Sequence, residues 1–303
     1  MRHVFSRKDL FAVVLTAALM ILAPAPARTL CLERSVTIVP SGPDLALLSP
    51  TGLWYDEQRG YLSVANPLLH QVSVLDRKGQ IVKVLGKGGE LGYPRAVAAT
   101  RGGKLFIAGR ESEIVKALDG YDAVAAEAYR EIDLKQYRRT SPVQPAALFA
   151  DWNGDLYVAD RGNRQVLAFG ADEKLRFSIA DVGEPADIWV DRTGKIYVAD
   201  PGFGGIRVYD DRGKQLRTIG TSTLRSREPL RIKALAVDAR SRIWVVEEGG
   251  RGIKALDPLG NVIFSMSGEG LFSPADLAVD PHENLYVLEE GGNRISVFSI
   301  AGI

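Results

Sequence analysis

Two copies of one short string present the first residues with chemistry to offer. Leu156–Asp160 (LYVAD) and Ile196–Asp200 (IYVAD) are β-rich runs that each end on a carboxylate and pass into a Gly-containing turn. Glu247 and Glu289 hold the matching place in later copies, and Asn66 and Gly109 in earlier ones. Carboxylates at equivalent ends of repeated strands could share a hard cation such as Ca2+, which gathers about six to eight oxygen ligands. The competing assignment is local, because Asp or Asn opening a Gly-rich turn accepts hydrogen bonds from the turn's own amides. For Asp160, Asp200, Glu247 and Glu289 the turn role is the preferred reading and the metal role the alternative. No other cofactor is expected.

A second set sits just after a recurring strand start. Arg95 follows Pro94, Lys233 follows Ile232, and Asp187 and Asp276 come two residues after Pro185 and Pro274. Gathered around a concavity, such mixed charge suits a polar small molecule or the acidic end of a peptide. Mutual ion pairing is the structural alternative, and exposed pairs contribute only about 0–1 kcal/mol. No nucleophile accompanies these groups: Gly-x-Ser-x-Gly is absent, and no Gly-rich phosphate loop follows a strand. The adjacent pairs Glu247/Glu248 and Glu289/Glu290 lie in Gly-rich turns, where adjacency alone does not make an acid/base pair.

The repetition itself dictates the elements that hold these residues. Starts at Pro50, Pro94, Pro145, Pro185, Ile232 and Pro274 recur 40 to 51 residues apart, and a second and a third β-rich run follow each of them. A fourth run closes most repeats, as at Ile81–Gly86, Gln215–Gly220 and Val262–Gly268. Four antiparallel strands repeated six times predict an all-β, six-bladed propeller. The second residue after each start is Gly52, Ala96, Ala147, Asp187, Ala234 or Asp276, mostly small, as inner strands crowding an axis require. The last repeat lacks a fourth strand, while Ser35–Val39 precedes the first start as a surplus one. Pairing the two termini would close the ring without a free sheet edge. Tyr129–Leu134 is read as the outer strand of the second repeat, and Thr221–Arg231 as a long basic, solvated loop.

Arg2, Arg7 and Lys8, the uncharged run Leu10–Ala23 and the small-residue site at Ala25–Ala27 have the layout of a secretory signal peptide. The run is short of the roughly 20 residues a spanning helix needs. Residues 1–27 are therefore expected to be removed, leaving 28–303 as an exported periplasmic or extracellular propeller with no membrane span, expected to be monomeric. Arg28–Leu30 ahead of Cys31 are not the small residues that precede a lipidated cysteine, so a plain thiol is preferred there. The balance of 38 basic to 37 acidic residues argues against a nucleic-acid partner.

The pattern Pro-x-x-Leu-x-x-Asp, then Gly-x-Leu-Tyr-Val-Ala-Asp, then Asn-Arg-x-x-Val-Phe resembles the NHL repeat. It is clearest over Asp151–Asn163 and Gly291–Phe298, and the resemblance covers residues 35–303. That likeness implies the propeller fold. It leaves function open among recognition scaffolds, RNA binders, an amidating lyase and lactonase-like relatives. A zinc lyase is disfavoured because only His70 and His282 remain beyond the leader, and both read as turn residues. The sequence thus points to a non-catalytic binding or scaffold module contacting a protein or small polar ligand. A metal-dependent lactonase- or esterase-like hydrolase is the alternative.

Overall fold

A computed structural model of the chain describes residues 29–40, 47–121, 129–220, 231–249, 252–268 and 270–302. Six four-stranded antiparallel sheets stand around a central axis as blades, numbered here from 1 to 6 in chain order. Their innermost strands are Gly52–Asp56, Pro94–Ala99, Pro145–Ala150, Asp187–Val190, Ile232–Val237 and Pro274–Val279. The chain closes as its strand surplus predicts. Cys31–Ile38 pairs antiparallel with Arg294–Ala301, from Cys31 opposite Ala301 to Ile38 opposite Ile295. Blade 6 therefore draws its outer strand from the N-terminal side, which covers the edge that Arg294–Ala301 would otherwise leave free.

The core is six seams rather than one centre. Each hydrophobic cluster fills the wedge between two adjacent blades, for example Phe106, Leu148 and Phe169 between blades 2 and 3. Ile38, Leu53 and Ile295 do the same between blades 6 and 1, across the closure. Burying one such side chain fully is worth about 1.5–3 kcal/mol, so every seam is held by many small terms. Alternation along the strands supplies the two faces each blade needs.

Crowding at the axis is real. A Cβ added at Gly52 would stand 2.5 Å from the Arg95 carbonyl oxygen. The fourth residue after each start is Trp54, Ala98, Phe149, Trp189, Ala236 or Ala278. Where it is alanine, its partner on the second strand is large: Phe106, Trp244 or Tyr286. In blades 1, 3 and 4 the fourth residue is itself large, opposite Ser63, Tyr157 and Tyr197, and these three side chains meet near the axis.

In blade 2, Arg130–Asp133 forms the outer strand, as the sequence suggests, followed by a single 3-10 turn at Lys135–Tyr137. Residues 124–128 of that stretch, residues 221–230 of the basic loop and residues 1–27, expected to be a signal peptide, lie outside the described residues. Arg231, at the end of that loop, pairs with Glu248 at 2.7 Å. Among the described residues no helix is long and apolar enough to cross a membrane.

Candidate functional site

Both ends of the channel can be built from the ends of the innermost strands. At the end where those strands begin, blades 2, 3, 5 and 6 carry a bulge in the first step of the ladder. The register slips between Pro94 and Ala96, Pro145 and Ala147, Ile232 and Ala234, and Pro274 and Asp276. A bulge leaves one residue unpaired and re-aims its side chain. Arg95 and Lys233 are such residues, and the structure places both in one cavity with Asp187 and Asp276. The cavity measures about 280 Å3 and is further lined by Arg110, Glu290 and the inner faces of all six blades. The four residues singled out by their place in the repeat therefore converge.

Inner strands have no neighbour on the channel side, so some of their backbone groups need other partners. Side chains at the mouth supply several of these and tie one blade to the next. Asp187 accepts from Leu235 N at 2.7 Å and Ile188 N at 2.8 Å, joining blade 4 to blade 5. Asp276 repeats the arrangement from blade 6 to blade 1, accepting from Leu53 N at 2.7 Å and Leu277 N at 2.8 Å. Thr51 donates to the Arg95 carbonyl at 3.0 Å, and Arg95 Nε to the Ala146 carbonyl at 3.2 Å.

These ties leave charge facing the cavity. Burial pushes the Asp187 carboxyl up to about 6. Asp276 is raised well above its ordinary value, first by burial and then by the Asp187 charge, with Lys233 opposing. Two carboxyls that disfavour each other's ionisation hold a proton between them towards neutral pH. Arg95 lies on the opposite side and is itself lowered, chiefly by burial and then by Arg161 and Arg110. Among the described residues no ion pair joins Arg95 or Lys233 to either aspartate; Lys233 instead reaches Glu290 at 3.4 Å. The mouth thus has an acidic side on blades 4 and 6 and a basic side on blade 2.

The carboxylates at the ends of the second strands do not gather. Asp160 accepts from Gln144 N, Asn163 N, Asn163 Nδ2 and Gln165 Nε2 at 2.8–3.2 Å. Asp200 accepts from Gly183 N, Glu184 N and Phe203 N at 2.8–3.0 Å and from Arg207 Nε at 2.8 Å. Glu289 takes Phe272 N at 2.6 Å, Ser296 Oγ at 2.5 Å and Arg294 at 3.0 Å. Glu247 is ion-paired with Lys254 at 2.6 Å. Each is committed to its own blade and the loop entering it. No group of three or more His, Cys, Asp or Glu residues placed to hold a metal occurs among the described residues. His70 caps a 3-10 turn in the left-handed region, the conformation Arg164 adopts at the same place in blade 3. The His282 amide donates into an Asp280 turn.

Sequence reasoning missed the wall behind the mouth. Trp54, Phe149 and Trp189 meet across the axis, Trp54 and Phe149 edge to face with ring centroids 5.1 Å apart and Phe149 and Trp189 tilted at 5.0 Å. They also border a second cavity at the other end of the channel. The signal was present in the repeat: the fourth place after the start is aromatic in three blades and alanine in three.

No protein-family model matches the sequence, and no curated protein matches it. Solved structures do match in fold. A gluconolactonase from Xanthomonas campestris superposes with a TM-score of 0.65 at 15% identity, over 92% of this chain and 99% of that one. Virginiamycin B lyase from Staphylococcus aureus gives 0.62 at 12%, over 90% and 89%. The WD40 propeller domain of Doa1 gives 0.59 at 12%, over 89% and 97%. At these identities the likeness establishes architecture. The chain is a six-bladed β-propeller whose structural neighbours include gluconolactonase and streptogramin-lyase propellers.

Proposed function

We propose that the chain is an exported binding propeller that takes a small anionic, hydroxyl-rich ligand, of the class of sugar acids, at the channel mouth. The observation that carries this reading is the convergence of Arg95, Lys233, Asp187 and Asp276 in one cavity without ion pairs among them. A carboxylate would pair with Arg95, whose fork suits a bidentate contact. Hydroxyls would donate to the free lone pairs of the aspartates. The NHL-like sequence pattern supports a recognition role, and the signal-like leader supports export.

One observation favours a second reading, a lactonase-like hydrolase. A buried carboxyl pair with one member titrating near 6 can hold a proton on one oxygen and accept one on another, as acid/base chemistry at neutral pH requires. The gluconolactonase fold likeness agrees with this reading without identifying a residue. The donors at the mouth do not make a Ca2+ cage: both oxygens of each aspartate already accept a backbone amide, and Lys233 stands beside Asp276.

One set of measurements separates the two. Gluconate is titrated calorimetrically into the protein, and hydrolysis of glucono-1,5-lactone is followed by proton release. Saturable gluconate binding that falls at least about tenfold in Arg95→Gln, without turnover above background, supports the binding module. Turnover that Asp276→Asn abolishes supports the hydrolase. Neither binding nor turnover removes sugar acids and lactones from consideration.

A further inference from the structure

The opposite end of the channel has its own cavity, of about 200 Å3, with the three aromatic residues of the partition as its inner wall. We infer that it is a second binding site, for a flat aromatic anion. Its rim is unlike that of the mouth. Trp152, in the turn leaving the inner strand of blade 3, is clamped between two guanidinium groups. Arg101 of blade 2 stands 4.2 Å from the ring centroid and Arg192 of blade 4 stands 4.4 Å from it. Arg192 also reaches Glu57 at 3.3 Å. Arg101 is exposed and has no carboxylate at ion-pair distance among the described residues.

Carboxylates border this cavity too: Glu57 is paired with Arg192, and the other five are held in their own turns. Asp56, Asp151, Asp191, Asp238 and Asp280 each end an inner strand and accept the amide two residues on, at 2.8–2.9 Å. Four of them also accept the amide four residues on. Aromatic N–H or O–H groups of the second strand take a remaining oxygen: Tyr157, Tyr197, Trp244 and Tyr286. Blade 2 alone ends its inner strand without an acid. Thr100 stands there and fills the turn with its hydroxyl, accepting from Lys104 N at 3.2 Å. Arg101 follows it, so the unpaired cation occupies the sector of the rim that lacks a carboxylate.

An aromatic wall with one cationic sector selects on two properties at once. Trp54, Phe149 and Trp189 offer edge and face contacts to a planar body. Arg101 and Arg192 offer charge-assisted hydrogen bonds to an acidic group at its edge. Such a site, mostly apolar with a few placed polar groups, is the usual form of a small-molecule pocket. It is independent of the mouth, since the partition separates the two cavities.

Three probes sharing one ring system test this by calorimetry on the purified protein: indole-3-acetate, indole-3-acetamide and tryptamine. The expected result is saturable binding of the acetate with a stoichiometry near one, the amide weaker by about tenfold and the amine weaker still. Arg101→Glu should weaken the acetate by about tenfold or more, and Trp152→Leu should weaken it too, while charge reversal at the distant, exposed Lys78 leaves it unchanged. Arg101 is exposed, and among the described residues its side chain makes no hydrogen bond or ion pair, so its variant reads binding rather than folding. Absence of saturable binding, equal affinity for acid and amide, preference for the amine, or indifference to Arg101→Glu would each overturn the inference.

Discussion

The two ends of the channel use the same residue type in opposite ways. Where the inner strands end, five aspartates face back into their own turns and are consumed by amides. Where the inner strands begin, Asp187 and Asp276 reach across to the next blade and keep a side open to the cavity. Asp200, at that same end but one strand further out, is again fully committed, with four donors around it. A carboxylate here is structural when it recurs at its repeat position and available when it replaces the expected small residue. Departures from the repeat, rather than its most regular letters, mark the carboxylates left open to the cavity.

The sharpest way to break that distinction is to remove one acid of each kind. Asp200→Ala strips a fully buried carboxylate from three backbone amides and leaves Arg207 without its partner. It should destabilise the fold by about 3–5 kcal/mol in denaturant titration. Asp276→Ala removes an acid that burial and Asp187 already disfavour as a charge, and takes the acceptor from the Leu53 and Leu277 amides. Its cost at pH 7 should stay within about 1 kcal/mol, because lost hydrogen bonds and relieved repulsion oppose each other. Equal losses for the two variants would erase the distinction.

The partition tests whether the two ends are separate at all. Phe149 is buried and held between Trp54 and Trp189. Phe149→Ala should cost about 3 kcal/mol, at the low end for aromatic truncation because the site already borders two cavities. It should also join them into one passage. Acrylamide quenching of tryptophan emission should rise at the same time, since Trp54 and Trp189 become reachable from both ends. Unchanged quenching would mean that neighbouring side chains collapse into the gap.

Most of the fold was legible because a propeller writes itself six times. The start residue, the small second position and the β-rich runs each recur, and the terminal strand deficit matched a surplus. The closing strand was misjudged only in extent, since it begins at Cys31 rather than Ser35 and pairs as far as Ala301. The mouth residues were legible for the same reason: Asp187 and Asp276 stand where the repeat has Gly or Ala, and Arg95 and Lys233 directly follow a strand start. What the sequence could not show was the third dimension of two features. Trp54, Phe149 and Trp189 lie 40 to 135 residues apart and meet only because the ring brings blades 1, 3 and 4 to one axis. Arg101 and Arg192 flank Trp152 from different blades, a contact between turns that no local spacing encodes.

The smallest effect concerns protons at the mouth. Asp187 titrates near 6 when folded, against about 3.9 for an ordinary aspartate. The folded protein therefore binds more protons than the unfolded chain between pH 4 and 6, so this group's contribution makes stability fall as pH rises through that window. That displacement is worth about 3 kcal/mol at most, and coupling to Asp276 spreads the effect over both carboxyls. Acids held low by their partners, such as Glu113 near 2, lose that support only at lower pH and leave the window clear. The net loss for the wild type between pH 4.5 and 7 should thus be about 1–2 kcal/mol in urea titrations, and Asp187→Asn should flatten it by about half. A wild-type profile that rises across the same interval would mean that the pair stays ionised. The aspartates would then be held by the basic side of the mouth, and the acid/base reading of the site would lose its only physical support.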